Sequence, residues 1–240
     1  MAKTAWKAGT LLAPVPPALI SCAHGGKDNL ITIAWTGIIN SDPAKTYISV
    51  RKQRYSYDLI KKSGEFVINL PSQHIIRSVD FCGVKSGREV DKFSACKLTR
   101  EKASQLDCPM VAESPVSIEC KVTDIVELGT HDMFIADIVA VNIDERYIDE
   151  KGKFHIEKCA LAAYAHGQYF ALGKKIGSFG FAVKKKKKGK KIQNPIPYIT
   201  CRNSKKKICP SQHLNYNKFE KEVLYMQIFL VFLLKVLHFL

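Results

Sequence analysis

The chain has 240 residues, enough for one large domain or for one domain with an appendage. Its formal charge is +15, from 37 Lys and Arg against 22 Asp and Glu. Residues 184–240 contain 14 of these cations and only two acids, Glu220 and Glu222, so this tail supplies +12 of the charge. The net charge therefore gives little reason to expect that the folded part binds nucleic acid.

Six segments in chain order have the length and the β-branched or alternating composition of strands: 18–23, 30–36, 46–50, 66–70, 116–126 and 133–143. The first two are predicted to pair as a hairpin. Short helices are predicted at 57–62, closed by Ser63-Gly64, and at 72–80, capped by Ser72. Because no βαβ alternation runs through the chain, we predict a mainly β (α+β) fold: a small closed antiparallel barrel with short helical insertions.

The cysteines and the N-terminus indicate a cytoplasmic protein. Six of the eight cysteines lie in residues 1–183, without a Cys-x-x-Cys pair or a histidine spacing typical of zinc. Pro14, Pro16 and Pro17 interrupt the short apolar stretch near the N-terminus, which is unlike a secretory signal. We therefore expect reduced thiols and no metal site.

A cluster of cations and hydroxyls follows the strand at 46–50. A phosphate is bound by charge-assisted hydrogen bonds from Arg or Lys, helped by hydroxyls and backbone N–H groups. The candidate residues of this segment are Ser49, Val50, Arg51, Lys52, Tyr55 and Ser56. The alternative is a solvated strand end that happens to contain cations.

A second segment with similar chemistry follows the predicted helix at 72–80. Residues 81–93 are predicted to form a loop with two glycines, a serine and several cations, and glycines allow backbone amides to approach an anion. The candidate residues are Cys82, Gly83, Val84, Ser86 and Lys92. The alternative is a plain surface turn, which the presence of two such segments makes less favourable.

Two further segments are candidates for contact with a flat ring. The strand at 30–36 ends in small residues, an aromatic residue and a glycine; its candidate residues are Asn29, Thr32, Ala34, Trp35 and Thr36. His131 stands where a turn enters a strand, a position from which an imidazole can point into a cleft. A structural or solvated histidine is the alternative.

These segments, in this order and spacing, resemble the flavin reductase-like family of FMN-binding split barrels. The likeness extends over residues 8–188 and is greatest to the flavoredoxin branch. The motifs are Ser-x-Arg-Lys-x-x-Tyr-x-Tyr at 49–57, Ser-Gly-x-x-Val-Asp-Lys-Phe at 86–93 and Ile-Glu-Lys at 156–158. Ala136-Asp137 departs from the Gly-Glu of many members, which puts the detail of the dimer or cofactor wall in doubt.

The resemblance implies a homodimer with FMN at each subunit boundary and electron transfer between NAD(P)H, flavin and an acceptor. Arg51 and Lys52 would hold the phosphate, Trp35 would be an apolar wall for the ring, and His131 would orient the nicotinamide or a second flavin. The resemblance agrees with two roles. One is an NAD(P)H:flavin reductase, and the other is a flavoredoxin-type carrier with tightly held FMN and protein redox partners.

The tail differs in composition from residues 1–183, the expected flavin domain. Residues 184–222 have the composition of a polybasic linker. Residues 223–240 are apolar but contain Gln227, Lys235 and His238, and a spanning helix needs about 20 apolar residues. A basic adaptor that binds membranes or nucleic acid through this tail is the second alternative, but we expect no function for the tail.

Overall fold

The computed structural model describes residues 2–184, and the predictions made for residues 185–240 lie outside them. The main sheet contains seven strands: β1 Ala18–His24, β2 Lys27–Ile33, β3 Thr36–Ser41, β4 Ala44–Val50, β5 Glu65–Leu70, β8 Val116–Glu127 and β9 Asp132–Ile143. Their order is β2-β1-β5-β8-β9-β4-β3, and every neighbouring pair is antiparallel.

The edges of this sheet approach each other. β2 and β3 lie at opposite edges, yet only Ala34 and Trp35 separate them in sequence, and the Ser49 N–H donates to the Trp35 carbonyl at 2.9 Å. A flat sheet of seven strands would hold its edges roughly 29 Å apart. The sheet therefore curls into an antiparallel barrel that is split between β2 and β3, which confirms the predicted fold class.

The barrel interior is filled by the apolar side chains of alternate strand positions. Ile20, Ile48, Phe66 and Phe134 have no exposed surface. The helix α1, Tyr55–Ser63, packs on β1 and β2 and ends, as predicted, at a residue in the left-handed region, Gly64 with φ 68°. This core fixes β2 and the end of β4 side by side.

The remaining elements are short. They are the helices α2 Ile76–Val84 and α3 Lys92–Cys96, the 3₁₀ turns Gln73–Ile75, Glu145–Tyr147 and Ile156–Lys158, and two small hairpins, β6 Arg100–Glu101 with β7 Met110–Val111 and β10 Ala162–Ala165 with β11 Gln168–Ala171. The Asp91 carboxylate caps α3 by accepting from the N–H groups of Phe93 and Ser94. No helix in residues 2–184 is long and apolar enough to cross a membrane.

Three local predictions need correction. The predicted strand at 30–36 ends at Ile33, because the next two residues form the link to β3. Ser72 makes no capping hydrogen bond with its side chain, since a 3₁₀ turn precedes α2. Residues 81–84, predicted as loop, are the last turn of α2, because Val79 and Cys82 continue its buried face at a spacing of three residues. Lys92 and Phe93, at the end of the same predicted loop, begin α3.

Candidate functional site

Two adjoining cavities lie where β2 passes the end of β4. Their volumes are about 370 and 270 Å³, and Ile31, Arg51 and Arg54 line both of them. The larger cavity is otherwise lined by Asn29, Gln53, Tyr55, Lys85, Ser86, Gly87 and Lys92. The smaller is otherwise lined by Thr32, Ile33, Ala34, Trp35, Ser49, Val50, His131 and Tyr164. The shared residues make the two cavities one elongated cleft.

The two ends of the cleft differ in chemistry. The larger cavity, here the cationic end, collects Lys85, Ser86 and Lys92 beside the shared arginines. The smaller cavity, here the apolar end, adds Ala34, Trp35 and Tyr164 to the shared residues. The fold accounts for the arginines at the cationic end, because β4 ends at Val50 and Arg51 and Arg54 follow it beside β2.

A buried lysine forms part of the cationic end. Lys92 is only 4% exposed, and its Nζ donates to the carbonyl oxygens of Leu30 at 2.7 Å and Cys82 at 2.8 Å. Burial lowers the pKa of Lys92, and the positive charge of Arg54 lowers it further. These hydrogen bonds hold a positive charge at the wall of the cleft by its contacts to β2 and α2.

Glycine is required next to this lysine. A Cβ atom at position 87 would lie 2.1 Å from Oδ1 of Asn29 and 2.7 Å from Cδ1 of Tyr55. Asn29 has no freedom to move, because it is buried and its Nδ2 donates to the Ser56 hydroxyl at 2.8 Å. We call Asn29, Gly87 and Lys92 the buried wall.

Arg51 and Arg54 line the same cavity, and both are exposed. We call these two residues the cationic rim. The N–H of Arg54 donates to the carbonyl of Arg51 at 3.0 Å, so a turn directs both residues to the same cleft. His131 lies at the apolar end, with its Nδ1 2.9 Å from the Thr130 hydroxyl. Burial lowers the pKa of His131, and so do the positive charges of the rim, which favours a neutral imidazole at neutral pH.

Lys52 does not line the cleft, although we predicted it to hold the phosphate. Its Nζ donates to Oε2 of Glu127 at 3.1 Å and lies 3.4 Å from Oδ2 of Asp132. This hydrogen bond to Glu127 raises the pKa of Lys52. The geometry therefore gives Lys52 no direct contact with a ligand in the cleft.

Other predicted residues support the walls of the cleft from behind. The buried Ser56 hydroxyl accepts from Asn29, and the Thr36 hydroxyl donates to the Tyr47 carbonyl at 2.6 Å. Cys82 is buried and offers its carbonyl to Lys92. Gly83 packs against the Thr32 side chain, whereas Val84 is exposed and lines neither cavity.

Seven lining residues were not among the sequence candidates: Ile31, Ile33, Gln53, Arg54, Lys85, Gly87 and Tyr164. Arg54 lies in the same cationic segment as Arg51. Taking every arginine of this segment as a candidate would have included Arg54. Tyr164 reaches the cleft because its backbone pairs with Val15, far away in sequence. No local pattern around Tyr164 indicates this pairing.

The cleft suits an elongated ligand with a flat apolar group at one end and an anion at the other. An anion at the cationic end would meet the guanidinium groups of the rim, the Lys85 side chain and the Ser86 hydroxyl. A flat ring at the apolar end would lie against the backbone of residues 32–35. Fold and site thus define a split-barrel domain whose cleft suits a nucleotide-like ligand.

The family model for the flavin reductase like domain matches residues 11–173, and the chain belongs to this family. Among solved structures, the flavoredoxin of Desulfovibrio vulgaris (Miyazaki F) superposes with a TM-score of 0.71 at 32% identity, covering 76% of this chain and 100% of that one. The flavoredoxin from Methanosarcina acetivorans gives 0.69 at 26% identity, covering 77% and 100%. An uncharacterized protein of Pyrococcus abyssi is 28% identical over 166 residues, which are 69% of this chain and 95% of the relative.

These matches confirm the resemblance to flavin reductase-like split barrels and to flavoredoxins in particular. The family match ends at residue 173, before the polybasic segment begins. It includes both ends of the cleft from Asn29 to Tyr164. The residues of the cleft therefore belong to the part of the chain that is similar to known flavoproteins.

Proposed function

We propose that this protein is an FMN-binding oxidoreductase that transfers electrons between NAD(P)H, flavin and an acceptor. The observation that supports it is the single cleft, cationic at one end and apolar at the other, in a domain of the flavin reductase-like family. FMN has a matching shape, because a phosphate and a flat ring system stand at its two ends. The glycine-lined buried wall and the donor set at the cationic end fit such a group.

The rim would hold the phosphate of FMN through Arg51 and Arg54, with Ser86 as a neutral donor beside them. Lys92 would add a fixed positive charge behind this site without leaving its two carbonyl partners. Thr32, Ala34 and Trp35 would line the ring. The bound flavin would supply the hydride or electron transfer itself.

His131 is our candidate for positioning the nicotinamide or a second flavin. A neutral imidazole offers one donor and one acceptor nitrogen, and the contact with Thr130 already engages Nδ1. The other ring nitrogen remains for the incoming molecule. Because no dinucleotide-binding sequence pattern is present, NAD(P)H would lie against the exposed face of the flavin.

A flavoredoxin-type electron carrier with tightly held FMN and protein redox partners is the second candidate. The similarity to two flavoredoxins, each covered along its whole length, favours it. The two candidates differ in the use of free flavin. A reductase oxidises NAD(P)H at a rate that depends on added FMN, whereas a carrier retains its FMN and reduces a partner protein.

The test is a visible absorption spectrum of the purified protein, recorded before and after reconstitution with FMN. The spectrum is then recorded without air after addition of NADH and, in turn, of NADPH. Prompt loss of the flavin absorbance supports the reductase and identifies the better donor. Absorbance that persists with both nicotinamides supports the carrier. A protein that contains no flavin and binds none on reconstitution would refute the proposal.

We also propose a homodimer. Ile38 and Ile39 on β3 and Val139 and Val141 on β9 are between 39% and 69% exposed, and only β4 lies between these two strands in the main sheet. Exposed apolar side chains that cluster on a surface are typical of protein interfaces. Light scattering of the wild type should give twice the chain mass, and Ile38→Asp should give the monomer.

Residues 1–183 are proposed to be sufficient for flavin binding. A chain that ends at residue 188 should bind FMN as tightly as the full chain, because the family match ends at residue 173. If the adaptor alternative were right, the same deletion would abolish binding to anionic vesicles or nucleic acid. Loss of FMN binding on deletion would contradict the proposed domain boundary.

A further inference from the structure

Two thiols that have no role in the proposed electron transfer lie in contact beside the buried wall. Cys82 is on α2 and Cys96 is the last residue of α3, and their Sγ atoms are 3.9 Å apart. Both are free thiols in the structure. Because a disulfide has an S–S length near 2.05 Å, a bond between them needs the two sulfur atoms to approach by about 2 Å.

The two thiols differ in access to solvent. Cys82 is fully buried, and burial together with the neighbouring Cys96 raises the pKa of Cys82 to about 12. Cys96 is only partly buried and lines a surface groove with Arg77, Lys85 and Lys97. Because Cys82 is enclosed, Cys96 is the thiol that a dissolved oxidant meets first.

The thiols also join the elements that hold the buried wall in place. The Cys82 carbonyl accepts from Nζ of Lys92, which begins α3, and Gly87 lies in the connection between the two helices. A covalent bond from Cys82 to Cys96 would therefore link both ends of the segment that forms one wall of the cleft.

We propose that Cys82 and Cys96 are an oxidisable dithiol whose oxidant is a peroxide. The Cys96 sulfur attacks one peroxide oxygen, gives up its proton and breaks the O–O bond, which gives a sulfenic acid on Cys96 and one water. The Cys82 sulfur then attacks the Cys96 sulfur, loses its proton and displaces hydroxide as a second water. Two thiols and one hydrogen peroxide thus give one disulfide and two waters.

Tryptic peptides provide a direct test. The full-length reduced protein is freed of reductant, treated with hydrogen peroxide, alkylated with N-ethylmaleimide and digested without reduction. Cleavage after Arg77, Lys85, Lys92 and Lys97 places the two cysteines in separate peptides, 78–85 and 93–97. We expect a species with the summed mass of these peptides less two hydrogens, which dithiothreitol converts back to the two parts.

Two variants control the assignment. Cys96→Ser should remove the cross-linked species, and Cys159→Ser, at a buried thiol outside the cleft, should retain it. The proposal is overturned if both peptides remain alkylated after peroxide treatment. It is equally overturned if Cys96 becomes a sulfinic acid while Cys82 stays alkylated. Because the readout is the mass of two peptides and not flavin absorbance or NAD(P)H oxidation, its outcome is independent of the proposed function.

Discussion

The buried wall and the cationic rim line the same cavity and both contain positive charge, but they are built differently. Lys92 in the wall is 4% exposed and donates to two backbone carbonyls, whereas Arg51 and Arg54 in the rim are exposed to solvent. The hydrogen bonds of Lys92 are therefore part of the folded protein. Substitutions in the wall should affect both stability and binding, and substitutions in the rim should affect binding alone.

The largest effect is expected from Gly87→Leu. The first side-chain atom alone would overlap Oδ1 of Asn29, and the rest would occupy the cationic end of the cleft. We expect no measurable FMN binding by fluorescence titration, and a loss of roughly 1–3 kcal/mol in the free energy of unfolding.

Gly83→Ala is the matched control for this substitution. Its Cβ would lie 3.4 Å from Cβ of Thr32, an ordinary contact, and position 83 is helical. We expect FMN affinity to stay close to that of the wild type. If Gly87→Leu bound FMN as well as Gly83→Ala does, the assignment of the cationic end would be wrong.

The double substitution Arg51→Gln with Arg54→Gln tests the rim. Removal of two charge-assisted donors should weaken FMN binding roughly 100-fold and leave riboflavin binding nearly unchanged, because riboflavin lacks the phosphate. The melting temperature should not change, since both side chains are exposed. Lys52→Gln is the control, and a comparable loss of FMN affinity in this variant would show that Lys52 leaves Glu127 when the ligand binds.

Lys92→Met tests whether the wall affects stability as well as binding. The Leu30 and Cys82 carbonyls would lose a charged donor, so we expect the free energy of unfolding to fall by about 2 kcal/mol. FMN affinity should fall roughly 10-fold, because the charge lies behind the phosphate site rather than on it. Urea unfolding and titration of the same samples separate the two effects, with Lys151→Met, an exposed lysine, as the control.

The smallest expected effect is a change in the pKa of His131. In the folded protein this pKa is lowered from its ordinary 6.5, so the unfolded chain binds the proton more readily. The contribution of His131 to stability therefore rises with pH through the interval between the two values and is lost below it. By NMR titration, Arg54→Gln should raise the pKa of His131, and a pKa above 6.5 in the wild type would contradict the geometry.

Several features of this protein follow from the sequence because they depend on neighbouring residues. Strand periodicity places β1, β5, β8 and β9 within a few residues of their ends, and Gly64 ends α1 because glycine adopts positive φ at low cost. The Ser49–Tyr57 segment is likewise chosen by its composition, and Ser49, Arg51 and Tyr55 line the cleft. The edge strand β3 is missed, since its exposed Ile38 and Ile39 follow no alternating pattern.

The tertiary structure alone decides which candidates face the cleft. Lys52 and Arg51 are adjacent in sequence, yet Lys52 pairs with Glu127, 75 residues away, and only Arg51 lines the cavities. Gly87 is restricted by Asn29, and Tyr164 joins the site through its pairing with Val15. Contacts over such distances depend on strand register and on the curl of the sheet. Both arise from packing of the whole core, so no local sequence pattern indicates them.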